Sequence, residues 1–303
     1  FGIGNMFQIN NCAVSLNALV HPGATASSGF NLFVGIVVAT MVGAVILGGI
    51  KRIGRFASEL VPLMCFIYVA GALYVLVRHA SAIPDAFGTI LYHAFHKPEA
   101  LAGGLLGTVI RSGVSRGLFS NEAGMGSAAM VHGAARTDEP VREGLVAMLG
   151  PFIDTIVICT MTALVIVITG AHEVCAIKGE LTGKAFELGM GHPIGAKIVS
   201  VGVILFSFST LVSWSYYGDR AADYLLGPRA VLPYRLLYIG CIVLGAMVSI
   251  GTIIDFCDAM NGLMAVPNLI ALIVLSPLVA KLTRDYFRRM RALGKAEIGK
   301  AES

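Results

Sequence analysis

The run Ser120-Asn121-Glu122-Ala123-Gly124-Met125-Gly126-Ser127 sets a carboxylate, an amide, two hydroxyls and two glycines inside eight residues, with apolar sequence on both sides. What the pattern offers is a break in a helix. Gly costs about 1 kcal/mol per helical position, and Ser and Asn compete with the helix for backbone hydrogen bonds. A helix ending before the break presents free carbonyl oxygens to a cation. One starting after Gly126 presents free N–H groups, and the positive end of its dipole, to a carboxylate. Two such ends suit a zwitterion and a coupling cation. Gly124 and Gly126 alone would read more plainly as a helix-packing face or a kink. Glu122 argues otherwise, because a charge near the bilayer centre costs at least about 2.5–3.5 kcal/mol and must find donors or a cation. Glu122 is expected to brace the broken backbone through hydrogen bonds.

Other polar residues stand inside apolar runs. Asp154, in GPFIDTIVICT, either joins a cation site of oxygen ligands or pairs with Arg111 or Arg116. In FSFSTLVSWSYYG, the hydroxyls of Ser207, Ser209, Thr210 and Ser213 either ligate sodium or bond back to the carbonyl four residues earlier. Trp214 follows Thr210 by one helical turn and shares its face, although a lone tryptophan also serves as an interface anchor. Asn5 and Gln8 share a face, and with Asn10 and Asn11 they argue for a polar lining rather than lipid contact. Asp255 and Asp258 read as N-caps of a last span.

The elements that position these residues are membrane helices. Of 303 residues, 56% are hydrophobic and 13% charged, against about a quarter charged in soluble domains. Mean hydropathy is +0.80. Apolar runs near the 20 residues a span needs fall at Phe1–Leu19, Phe30–Ile50, Leu60–Val77, Val141–Thr169, Ile194–Tyr217, Pro233–Ile250 and Phe256–Val279. With the broken segment near residues 101–134, the expectation is eight crossings, the first partial. Phe1 opens inside an apolar stretch, which reads as a chain whose N-terminus lies further upstream. Ser81–His96 reads as a surface helix outside, and Glu173–Gly191 as a second such loop.

Loop charge supports the count. Under the positive-inside rule, alternation puts 15 of the 22 Lys and Arg residues on the cytoplasmic side, including the whole tail from Lys281. The domain reading is one transmembrane transporter domain over 1–280 and a basic cytoplasmic tail over 281–303. The small net charge of +4 gives no footprint for nucleic acid. The six cysteines make no C-x-x-C pair and no histidine forms H-E-x-x-H, so neither redox nor metal chemistry is expected of them.

RGLFSNEAGMGSAAM followed by FIDTIVICTMTALVI resembles the signature of the alanine-or-glycine:cation symporter family, also called the sodium:alanine symporter family. GIGNMFQINN, FSFSTLVSWSYYGDRAADYLLG and MNGLMAVPNLIALIVLSP are similar to its earlier and later helices, in order along the chain. The resemblance implies an all-α polytopic membrane protein with a LeuT-type inverted-repeat fold of five plus five helices, of which this chain lacks the first two core helices. It implies sodium-coupled symport of alanine or glycine into the cell by alternating access, across the plasma membrane. No cofactor is implied beyond Na+ as coupling ion, and the oligomeric state is left open. Carried over residue by residue, the substrate would lie against Phe119, Ser120, Asn121, Gly124, Met125, Gly126 and Ser127, with Gln8, Thr210 and Trp214 around it. Sodium would be held partly by Ser209 and Thr210, with Asp154 a further candidate. One departure is Ala128-Ala129-Met130, where the family pattern carries Pro after the Ser.

Three rivals stand beside this reading. A LeuT-type transporter of another family would differ in substrate or couple to protons. An intramembrane enzyme finds only Tyr217-Gly218-Asp219, a fragment of an aspartyl protease motif at a helix end, with no G-x-S-x-G elsewhere. A channel would need a continuous polar stripe.

Overall fold

The computed structural model describes residues 1–22, 26–96, 105–175 and 178–301, which form helices and turns without a strand among them. A π-helical turn, Gly2–Phe7, runs into α1, Gln8–Val20. α2, Ser28–Ile46, and α3, Ile50–Arg78, follow. A 3₁₀ turn, Ala80–Ala82, leads to α4, Ile83–His96. α5, Leu105–Ser120, and α6, Ser127–His132, are the two arms of the break. α7, Pro140–Ala147, continues through Leu149–Pro151 and a π-helical stretch, Phe152–Cys159, into α8, Thr160–Ile168. Two short helices, α9, Ala171–Val174, and α10, Leu181–Met190, precede three long ones. These are α11, Ile194–Leu226, α12, Val231–Met247, and α13, Ile250–Ala301.

Among the described residues, six helical stretches are long and apolar enough to cross a membrane: Ser28–Ile46, Arg52–Arg78, Pro140–Ile168, Ile194–Leu226, Pro228–Met247 and Ile250–Ala292. The other two segments counted from sequence differ for stated reasons. The first is a π turn joined to 13 α-helical residues and carries five amides, and the broken segment is interrupted between Ser120 and Ser127. One expectation needs correction. Asp255 and Asp258 lie in the second and third turns of α13, not at its N-cap, because the helix already begins at Ile250. Just before it, the Ser249 and Thr252 hydroxyls meet at 2.9 Å.

Contacts divide the chain into two compact units: residues 1–112 with 156–260, and residues 113–155 with 261–303. In the first unit, Ile9 and Cys12 of α1 pack with Val38 and Val42 of α2, Leu211 of α11 and Tyr238 of α12. A second cluster joins Val75 of α3, Val165 of α8, Phe186 of α10 and Val199 of α11. Lipid is as apolar as a leucine, so helix association here depends on close packing and hydrogen bonds rather than on escape from water. Gly245 illustrates this: a Cβ there would lie 2.5 Å from the Met6 Cα. Asn10 secures the same approach by donating to the Val248 carbonyl at 3.0 Å. Within the second unit, Arg289 of α13 grips Glu139, just before α7, through two hydrogen bonds of 2.7 and 3.0 Å. His132 at the end of α6 meets Glu143 of α7 at 2.8 Å.

Candidate functional site

The break in the second unit is a run of left-handed backbone. Glu122, Gly124 and Gly126 have φ of 51°, 76° and 84°, and Glu122 is the one non-glycine with positive φ among the described residues. A left-handed residue bearing a Cβ costs roughly 1–2 kcal/mol. The structure supports Glu122 there with a bond across the gap, since its Oε2 accepts from the Ser127 hydroxyl at 2.8 Å. Ser127 is 1% exposed and Met125 7%, so the far side of the break is sealed.

The near side is held from the π-helical stretch. Thr155 Oγ1 donates to Asn121 Oδ1 at 2.8 Å, and the Ser120 hydroxyl donates to the Asp154 carboxylate. Asp154 therefore meets the break itself, an arrangement beside the two foreseen for it. The Arg111 side chain lies outside the described residues. Gly126 caps α6 without a side-chain hydrogen bond to its first turn. Since α6 has only six residues, an incoming carboxylate would meet its leading N–H groups more than a summed dipole. α6 starts at Ser127, with Ala128 as its second residue.

The remaining candidates lie in the first unit. Gln8 is the first residue of α1 and is half-buried. The Ser209 and Thr210 hydroxyls both donate to the Phe206 carbonyl, at 2.9 and 2.8 Å. Such back-bonding uses the proton and leaves oxygen lone pairs for a cation, so the two readings of these hydroxyls are compatible. The Trp214 indole rests on the backbone of Gly4 and stacks edge-on against Tyr217, with ring centres 5.2 Å apart.

Several pairings are not visible in the sequence. Tyr238 is 1% exposed, and its hydroxyl lies 2.9 Å from both the Gly4 and the Leu211 carbonyls. Asn5, fully buried, donates to the Tyr238 carbonyl at 2.9 Å. Asp219 forms a buried ion pair with Arg235, with hydrogen bonds of 2.5 to 3.1 Å. Their signal was weak. Tyr238 sits in an ordinary apolar helix, and Arg235 reads as one more cytoplasmic charge.

Helices long and apolar enough to span a bilayer are the mark of an integral membrane protein. The model of the sodium:alanine symporter family matches residues 1–300. The chain belongs to that family. It is 44% identical to an uncharacterised transporter of Haemophilus influenzae over 296 residues, covering 96% of this chain and 63% of the relative. It is 41% identical to the sodium/alanine symporter AgcS of Methanococcus maripaludis over 292 residues, covering 94% and 62%. A sodium/proton-dependent alanine carrier protein of Bacillus sp. strain PS3 is 28% identical over 320 residues, covering 95% and 71%. The chain thus spans somewhat over 60% of the length of the first two relatives.

Proposed function

We propose that this chain is part of a sodium-coupled symporter that carries a small neutral amino acid, alanine or glycine, into the cell by alternating access. The observation that carries this is the left-handed break from Ser120 to Ser127, where α5 ends in turn hydrogen bonds, from the Ala123 N–H to the Leu118 carbonyl and from the Glu122 N–H to the Phe119 carbonyl, and the chain restarts as α6 at Ser127. Non-helical backbone at membrane depth persists only where protein buries it or where it lines a cavity. In the second unit, the residues from Phe119 to Ser127 would take the substrate, its carboxylate at the leading N–H groups of α6, and Glu122 would brace the gap. In the first unit, Gln8, Thr210 and Trp214 are assigned to the substrate and Ser209 and Thr210 to sodium, with Asp154 of the second unit a further sodium candidate. The fold is read as LeuT-type. The tail after Lys281 is placed in the cytoplasm.

The energetics suit the task. The membrane potential contributes roughly 2.3 kcal/mol per charge per 100 mV, and about 1.4 kcal/mol is tenfold in concentration. One sodium ion thus supports roughly 50-fold accumulation.

Proton coupling is a second reading, favoured by the similarity to the sodium/proton-dependent alanine carrier of Bacillus. Uptake of labelled alanine by the full-length protein in vesicles separates the two. The expected result is uptake that follows an inward sodium gradient and survives collapse of the proton gradient. Uptake driven by pH alone, without sodium, would overturn sodium coupling. Trp214→Ala is expected to change the preference among amino acids of different size, and unchanged selectivity with intact uptake would remove Trp214 from the substrate.

A further inference from the structure

Gly4 lies in the π-helical turn at a contact that no other residue would permit. A Cβ added there would stand 2.3, 2.4 and 2.5 Å from Cδ2, Cε3 and Cγ of Trp214. These atoms form the root and centre of the indole, not a mobile tip, so relief requires the ring to swing or the helices to part. The backbone of Gly4 is not in the left-handed region, so the demand for glycine comes from the indole.

Retreat of the backbone is opposed by Tyr238. Its hydroxyl donates to the Gly4 carbonyl, and its carbonyl accepts from Asn5, both at 2.9 Å and both buried. The same hydroxyl is 2.9 Å from the Leu211 carbonyl, three residues before Trp214 on α11. One hydroxyl carries one proton, so the two carbonyls share it. Tyr238 therefore ties together the turn that bears Gly4 and the helical turn that bears the indole.

We infer that Gly4 is a specificity-determining residue and Tyr238 a positioning residue: together they set how deeply the Trp214 indole is seated, and so the largest amino acid admitted. This rests on the reading that Trp214 contacts the substrate. Backbone covers the Gly4 side of the ring, so substrate meets the indole on its other surface. A methyl group at position 4 drives the ring into that space.

The test uses the full-length protein in vesicles, with uptake of glycine and alanine normalised to inserted protein. Gly4→Ala is expected to raise KM for alanine relative to glycine by roughly tenfold, the scale of one methylene in a tight pocket, with glycine turnover little changed. Tyr238→Phe should shift the same ratio in the same direction by less. Combining Gly4→Ala with Trp214→Ala should leave the ratio at that of Trp214→Ala alone, because the collision is gone. A parental ratio in Gly4→Ala, or an undiminished shift in the double variant, overturns the inference. If Gly4→Ala fails to insert, the double variant must insert, and Tyr238→Phe must still move the ratio. Failure of either overturns it as well. Trp214→Ala with unchanged selectivity would instead overturn the assignment of Trp214 to the substrate.

Discussion

Gly126→Val is expected to slow transport severely while protein still reaches the membrane. Gly126 sits at φ 84°, and a Cβ there would lie 3.0 Å from Asn268 Oδ1 and 3.3 Å from its Cβ. Strain of this kind costs roughly 1–3 kcal/mol, and a β-branched side chain adds to it. The backbone can escape by turning right-handed, which would extend α6 backwards through the gap and take away its leading N–H groups. The initial uptake rate should fall by roughly tenfold or more, since each 1.4 kcal/mol is a factor of ten. Gly124→Ala is the milder control. It shares the positive φ, but its added methyl meets only the Leu269 Cδ2 at 3.3 Å, the end of a flexible side chain. Full uptake by Gly126→Val would mean that the left-handed geometry is dispensable.

The interruption was legible because the residue types that disfavour a helix are crowded together there. Spans were legible for a similarly local reason: in lipid, a long apolar run satisfies its backbone only as a helix. The ends of the long helices were not. α11 continues past Tyr217 to Leu226, and α13 past Val279 to Ala301, because polar helix persists once apolar helix has begun. Pairs such as Arg220–Asp223 and Arg288–Asp285 add charge contacts one turn apart. What holds the candidate site was still less visible. Ser120 and Asp154, or Asn121 and Thr155, are 34 residues apart in each case, and no local pattern announces such pairs. The π-helical stretches at Gly2–Phe7 and Phe152–Cys159 also lack a compositional mark, since their residues would equally form an α-helix. Of the four amides near the chain start, three hold helices, Asn5 and Asn10 on α12 or the residue just after it and Asn11 on the Phe7 carbonyl of its own helix.

Asp219→Leu is expected to be the most destabilising single change in the first unit. The Asp219 side chain is 2% exposed and that of Arg235 16%, and the guanidinium places three hydrogen bonds on the carboxylate. Removing one member of a buried pair leaves a charge without compensation and typically costs about 3–5 kcal/mol. Thermal unfolding in detergent should show the loss as a transition lowered by several degrees. Replacing both residues, as Asp219→Leu with Arg235→Leu, should recover most of it, because paired burial is often no better than good apolar packing. Tyr234 adds a local constraint: its hydroxyl would lie 1.9 Å from a Cβ at Gly218, so rearrangement around Asp219 has little room. A single variant as stable as the parent would show that water reaches Arg235 and screens it.

The π-helical turn at the start of the chain bears on how sequences of this family are aligned. A π turn holds one residue more than the α-helical turn it replaces. Deleting any one residue between Gly2 and Phe7 would let the helix close into regular α pairing with little change in composition. The turn would then cover nearly the same rotation and rise with one residue fewer, so the residues upstream would keep their present faces. A one-residue gap at this point in a relative should therefore leave Gly4 under the Trp214 indole, whereas a gap of the same size inside α1 would turn everything upstream by about 100° and unseat the ring.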